Sequence, residues 1–309
     1  MAERRIPVLV VMLLVAAALS PLHAGPRSGD LWIAVLVDDL LVPVGALVDG
    51  VWRVDTSDTG DGEGRGAMYE RVGKRPILWP PAGRVLPTTW RAHMAAGRRK
   101  ASVVDPIEEQ EDWGHFGVRT DLGLPRRGPA DATVTHGVAV AGDVTVRLFT
   151  PLAEGSRRES LMRFIDAPAV HAARAAIAIA AAAPSQEVPW RTVSDEAVAS
   201  SSFHVEESSA VGLRDGSTLF YVEASKVPLD GCEVHVRATV TAPRRGPLRL
   251  LAIEGMTGCD NYVNLSPMAV VERGGAVCWV SKEIYEDGFS FLLRAPDLVP
   301  TSVSACTIK

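Results

Sequence analysis

Residues 269–293 read AVVERGGAVCWVSKEIYEDGFSFLL, three apolar-rich runs separated by Gly274-Gly275 and Asp287-Gly288. Glycine enters the positive-φ region without a Cβ penalty, so a Gly-bearing pair between β-favouring runs predicts a tight reversal and antiparallel pairing. Similar runs flank this stretch: Ser217–Ala224, Glu233–Thr241 and Leu248–Glu254 before it, and Ser302–Ile308 after it. Asp215-Gly216 and Arg244-Arg245-Gly246-Pro247 supply further turns. Many short strands at this spacing predict an antiparallel sandwich or open-barrel type of sheet.

The N-terminal half repeats the pattern less regularly. Leu31–Val37, Leu40–Leu47 and Val51–Val54 read as a meander, with Asp38-Asp39 and Asp49-Gly50 at its reversals. Residues 55–66 are nearly all polar or glycine and predict a loop. Thr88 or Thr89 is placed to cap a short helix through Ala96, and residues 101–114 read as polar, irregular chain. Arg98-Arg99-Lys100 reads there as a solvated turn. Strands return at His115–Thr120, Ala132–Val140 and Asp143–Phe149, with Ala141-Gly142 joining the last two as a hairpin.

Between the two β regions, Arg157–Ala183 is rich in Ala, Leu and Ile and predicts one long helix. Asp166 is placed as its N-cap with Pro168 in the first turn, where a missing N–H costs nothing. Ile165, Ala169, Ala172 and Ala176 form the face toward the protein. His171 and Arg174, close to the apolar end, argue against a membrane span. The chain is therefore predicted to be mainly β with one long α-helix: a β region at 25–156, a connecting helix at 157–183 and a second β domain at 184–309.

Residues 1–24 have the parts of a secretory signal peptide in order. Arg4 and Arg5 precede an apolar run from Val8 to Leu19, and Ser20-Pro21-Leu22-His23-Ala24 follows it. Cleavage after Ala24 starts the mature chain at Gly25 and places it in the periplasm or outside the cell. Leu22, large for its position before the cleavage point, leaves retention as a membrane anchor open.

The net charge of the full chain is −5, and the predicted mature chain stays mildly acidic. That balance argues against nucleic acid, whose binders concentrate Lys and Arg against phosphates. A partner is expected to be a protein or small ligand of unknown identity, and a membrane only if the signal segment is retained.

The four cysteines, Cys232, Cys259, Cys278 and Cys306, all fall in the last third. An exported chain meets an oxidising compartment, so two disulfides are expected, with three possible pairings. Cys232 with Cys306 and Cys259 with Cys278 is the preferred set, although Cys278 in its apolar run also reads as a buried free thiol. Their separations do not suit zinc.

Catalytic signatures are missing: the sequence has no Gly-x-Ser-x-Gly elbow, no His-Glu-x-x-His and no phosphate-binding glycine loop. No cofactor or resident metal is implied. Asp55, Asp58, Asp61 and Glu63 are calcium candidates because several carboxylates share a Gly-rich loop, but their spacing is not that of an EF-hand. Glu108, Glu109, Glu111 and Asp112 before Trp113 offer carboxylates beside an aromatic ring, as in a sugar-binding cleft. Trp279, Glu283 and Tyr285 lie on a strand entering a turn, with Trp279, Ser281 and Glu283 on one face and Cys278, Val280 and Lys282 on the other.

The segment Leu41-Val42-Pro43, the Cys259-Asp260 pair and the stretch Trp279–Gly288 together resemble parts of uncharacterised exported bacterial proteins. The resemblance implies export and a bacterial source and assigns no activity. The expected function is therefore that of an exported, non-enzymatic binding or structural protein. An exported hydrolase with a carboxylate site around Trp113 is the alternative.

Overall fold

Strand β1 (Leu31–Val37) is apolar at every position, the pattern of a strand covered on both faces, and all seven residues are buried. Its Trp32, Ala34 and Leu36 point into one core, together with Leu41, Ala46, Trp90, Ala92, Ala101 and Ala139. The strands that follow are β2 (Leu40–Val48), β3 (Val51–Arg53), β4 (Glu70–Arg71), β5 (Ile77–Trp79), β6 (Arg84–Val85), β7 (Thr89–Met94), β8 (Gly97–Asp105), β9 (Val118–Thr120) and β10 (Thr135–Ala141). The computed structural model describes residues 29–38, 40–54, 70–71, 77–79, 82–105, 117–124, 135–183, 189–200, 202–229, 232–258, 264–274, 276–285, 288–295 and 298–307.

Six of these strands close a ring. β1 pairs with β2 and with β10, β10 with β7, β7 with β8, β8 with β9, and β9 returns to β2, every pairing antiparallel. The predicted antiparallel sheet is thus present, and it closes into a barrel. A six-strand ring is narrow, and its lining mixes small with large side chains. Ala34, Ala46, Ala92, Ala101 and Ala139 leave room for Trp32, Trp79 and Trp90. The Trp32 and Trp79 rings meet at 5.6 Å with their planes tilted by 58°. Trp90 donates its Nε1–H to Pro87 O at 2.7 Å.

Three local expectations are corrected by the strand pairings. The segment from Thr89 to Ala96 is no helix: β7 alternates Trp90, Ala92 and Met94 into the core with Arg91 and His93 outward, and this period of two overrides the helix preference of Ala95-Ala96. The next segment continues as β8, so Arg98-Arg99-Lys100 lies on a strand and forms no turn. Ala141-Gly142 also does not make a hairpin, because β10 pairs with β1 and β7 whereas β11 (Thr145–Leu148) pairs with β17 (Asn264–Arg273). The Asp49-Gly50 reversal is present, with positive φ at both residues (50° and 77°), which suits a tight hairpin turn.

Contacts divide the chain into two compact units, residues 1–144 with 297–306 and residues 145–296 with 307–309. The second unit contains β11, β12 (Thr150–Pro151), helix α1 (Ser156–Ala182), a 3₁₀ turn at Pro189–Thr192 and helix α2 (Asp195–Ser200). It continues with β13 (His204–Gly212), β14 (Thr218–Leu229), β15 (Cys232–Ala242), β16 (Arg249–Gly258), β17, β18 (Ala276–Tyr285) and β19 (Gly288–Ala295). One sheet runs β12-β13-β14-β15-β16; the other runs β11-β17-β18-β19. Helix α1 covers one face of the first sheet through Phe220, Val222, Val234, Val236, Ala238 and Val240. The opposite face packs on the second sheet, where Val211 and Leu219 meet Val270 and Trp279.

Helix α1 starts at Ser156, earlier than a cap at Asp166 allows. Gly155 stands at the N-cap without a side-chain cap bond, Asp166 is exposed mid-helix, and Pro168 lies in the interior. An interior proline costs about 3 kcal/mol. Burial on both sides of it offsets that cost: Leu161 and Ile165 before it, and Ala169, Ala172, Ala173, Ala176 and Ile177 after it. Ile165, Ala169, Ala172 and Ala176 face inward as expected. By length and composition α1 is apolar enough to cross a membrane, but its alanine stripe packs on the sheet.

Small side chains on both partners let α1 lie close to β16. A Cβ built on Gly255 would fall 2.3 Å from the backbone oxygen of Ala172, whereas one on Gly212 would meet nothing within 4 Å. Gly255→Ala should therefore push helix and sheet apart and cost about 1–3 kcal/mol, the range of overpacked sites. Gly212→Ala should change stability by less than about 0.5 kcal/mol. Urea denaturation of both variants checks this; equal stabilities would mean that the contact at Gly255 is not tight.

Candidate functional site

Strands β14 and β15 are buried on both faces, yet each carries a charge on the face turned to the second sheet: Glu223 at 0% exposure and Arg237 at 6%. The antiparallel register sets four ionisable residues in one row across the sheet. Glu207 pairs with Glu223, Glu223 with Arg237, and Arg237 with Glu254. Arg237 Nε lies 3.3 Å from Glu223 Oε1. Glu223 Oε2 accepts the Tyr221 hydroxyl at 2.8 Å and the Leu265 backbone N–H at 3.3 Å. Arg237 also directs a guanidinium N–H to Met256 Sδ at 3.4 Å.

The facing sheet completes the row. Arg294 of β19 grips Glu254 with two bonds, at 2.7 and 3.0 Å, and this pair holds the Glu254 carboxyl below its ordinary range against the opposing effect of burial. Ser266 donates to Glu207 at 3.2 Å, and Ser290 donates to Glu283 at 2.9 Å. Burial raises the Glu207 carboxyl, an effect the Ser266 bond opposes and the Glu223 charge reinforces. Burial, followed by the Glu223 charge, pushes the Tyr221 hydroxyl well above its ordinary range. The row is a paired ionic network with each charge held by side chains or backbone.

Other reactive groups of this unit are displaced from neutrality. His235 falls to about 4, chiefly through burial, so its 3.3 Å contact with Glu233 is made by a neutral ring at neutral pH. The Cys278 thiol is free and buried, and burial pushes it up to about 12. Buried Lys226 donates to Val198 O at 2.8 Å and lies over the Phe203 ring at 3.9 Å, tying α2 to β14.

A second feature lies on the barrel. The outward residues of the β7–β8 hairpin are basic, with Arg91 opposite Lys100 and His93 opposite Arg98. Arg91, Arg98 and Lys100 border a groove of about 520 Å³, to which Thr89, Arg99 and the Val140–Gly142 end of β10 also contribute. The Arg91 guanidinium is anchored by the carbonyls of Gly142 and Val144. Among the described residues no carboxylate forms an ion pair with Arg91, Arg98, Arg99 or Lys100. Asp121 is held low first by the Ser102 N–H at 2.7 Å, with the field of Arg99 a lesser cause.

Of the residues singled out in the sequence, Trp279 and Glu283 lie on the inner face of β18, as the alternation predicts. Trp279 packs in the intersheet core and Glu283 accepts from Ser290. The Tyr285 side chain, the calcium candidates Asp55, Asp58, Asp61 and Glu63, and the group Glu108, Glu109, Glu111, Asp112 and Trp113 lie outside the described residues. Cys232 is disulfide-bonded. Cys278 is free, which corrects its expected pairing with Cys259: its Sγ lies 3.5 Å from Val271 O inside an apolar layer. The side chains of Cys259 and Cys306 are outside the described residues.

Sequence reasoning missed Glu207, Tyr221, Glu223, Arg237, Glu254 and Arg294. Their one local signal is opposite charges set singly inside apolar runs, as in Tyr221-Val222-Glu223-Ala224 and His235-Val236-Arg237-Ala238. Comparison with protein families, curated proteins and solved structures finds no match.

Removing one partner of a buried pair leaves an uncompensated charge, which costs about 3–5 kcal/mol, whereas removing both is far cheaper. Arg237→Met should lose stability of that order by urea denaturation. Adding Glu223→Gln, which keeps an acceptor for Tyr221 and Leu265, should recover part of the loss; a double variant no more stable than the single would show that charge pairing is not what Arg237 supplies. A separate measurement concerns the thiols. Cys278 should resist alkylation in the native state and react on unfolding, and non-reducing peptide mapping should place Cys232 in a disulfide with Cys259 or Cys306. Rapid native alkylation of Cys278 would contradict its burial.

Proposed function

We propose that this protein is exported and works there as a non-enzymatic binding or structural protein. The observation that carries this reading is the state of the buried ionisable groups of the second unit. Proton transfer at neutral pH is efficient when the group titrates near neutrality. Here the carboxylates are engaged by Arg237, Arg294, Ser266 and Ser290, while His235 and Cys278 are displaced to about 4 and about 12. Such a network suits a rigid, register-defining scaffold better than a reaction centre. Export is supported by the order of basic, apolar and Pro-bearing segments in residues 1–24.

Two measurements test the proposal. Protein recovered from the periplasm or medium of an expressing bacterium should begin at Gly25 by N-terminal sequencing; full-length chain confined to the cytoplasm would refute export. The purified mature protein should turn over nothing in a broad panel of glycoside, ester and peptide substrates. Turnover abolished by Glu109→Gln or Glu111→Gln would replace the binding reading with that of a carboxylate hydrolase.

A further inference from the structure

The β7–β8 hairpin places like charges where a sheet does not favour them. Arg91 and Lys100 are directly opposed, and like charges facing each other across strands are destabilising. These residues point outward on a closed barrel in an acidic chain, so they add nothing to its core. Among the described residues no carboxylate pairs with them.

We infer that the groove bordered by Arg91, Arg98 and Lys100 binds a small phosphate-bearing anion. Its volume of about 520 Å³ is that of a small-molecule site. A single carboxylate would neutralise one of the converging cations; a multivalent oxyanion satisfies several at once. Arg91 is oriented in advance, because its bonds to Gly142 and Val144 carbonyls fix the guanidinium while leaving its charge uncompensated. Planar guanidinium groups suit phosphate oxygens through paired N–H bonds, and the Lys100 ammonium adds a mobile point charge. The inference rests on the binding-protein reading and names the chemistry of its ligand.

Isothermal titration of the mature protein with pyrophosphate, at constant ionic strength, tests the site. The wild type should bind saturably, one anion per chain, and pyrophosphate should raise its melting temperature. In the double variant Arg98→Gln, Lys100→Gln the affinity should fall roughly tenfold or more. Without ligand that variant should be at least as stable as the wild type, because it relieves the cross-strand repulsion; this separates loss of the site from loss of the fold. Vesicles containing phosphatidylglycerol form the second arm. Binding of vesicles but not of pyrophosphate, lost in the same variant, would keep the site and assign its phosphate to a lipid headgroup. No binding in either arm, or equal binding by wild type and variant, would overturn the inference. A failure there leaves the substrate panel unaffected, so the two readings fall separately.

Discussion

The Glu223 carboxylate has no exposure to water, and a charge in that position must be met by the protein itself. Meeting it constrains three strands at once. β15 must bring Arg237 opposite, β14 must place Tyr221 on the same face two residues earlier, and β17 must present the Leu265 N–H. A slip of one residue in the β14–β15 pairing would turn either Glu223 or Arg237 to the α1 face, which is lined by Leu161, Ile165 and alanines, and leave the other without its partner. The charges therefore enforce the register that an all-apolar pair of sheets would leave weakly specified. Ionic groups kept in a core at a cost in stability are best understood in this way.

The two sides of the middle sheet are solved by different means. Toward α1 the problem is distance, and alanines on the helix with Gly255 on the sheet bring two backbones together so that small side chains still make full contact. Toward the second sheet the problem is polarity, and it is solved by pairing across strands and between sheets, with Arg294 and Glu254 closing the row. Leu219, Val211, Val270 and Trp279 form an apolar cluster in the same interlayer.

What the sequence reveals and what it hides divides along the range of the interactions. β1, β2 and the Asp49-Gly50 reversal are legible because run and turn lie within a few residues, and the inward face of α1 follows from spacing alone. That Trp279 and Glu283 share a face follows from alternation; that the face is the inner one does not. β7 and β8 were missed because Ala95-Ala96 and the basic run imitate a helix end and a turn; what makes them strands is the core that Trp90, Ala92 and Met94 fill. The ionic row was hidden for a deeper reason: Glu207, Glu223, Arg237 and Glu254 become neighbours only once three pairings are in register, and bulges at Val205/Glu207 and Thr239/Val240 shift that register by steps no local pattern announces. The groove was missed with its hairpin, since Arg91 and Lys100 meet only when β7 and β8 pair.

The ring of the barrel closes between β1 and β10, whose paired residues, such as Val35 and Val138, lie far apart in the chain. Synthesis from the N-terminus delivers β1 and β2 first and β10 last. Until β10 arrives, β1 is a strand of seven apolar residues with one edge unsatisfied, the kind of surface that recruits foreign strands. Vectorial delivery therefore sets a waiting period that the native fold itself does not contain. During that interval the newly made N-terminal segment depends on holding chaperones, or on the speed of synthesis, to keep its open edge for its own partner.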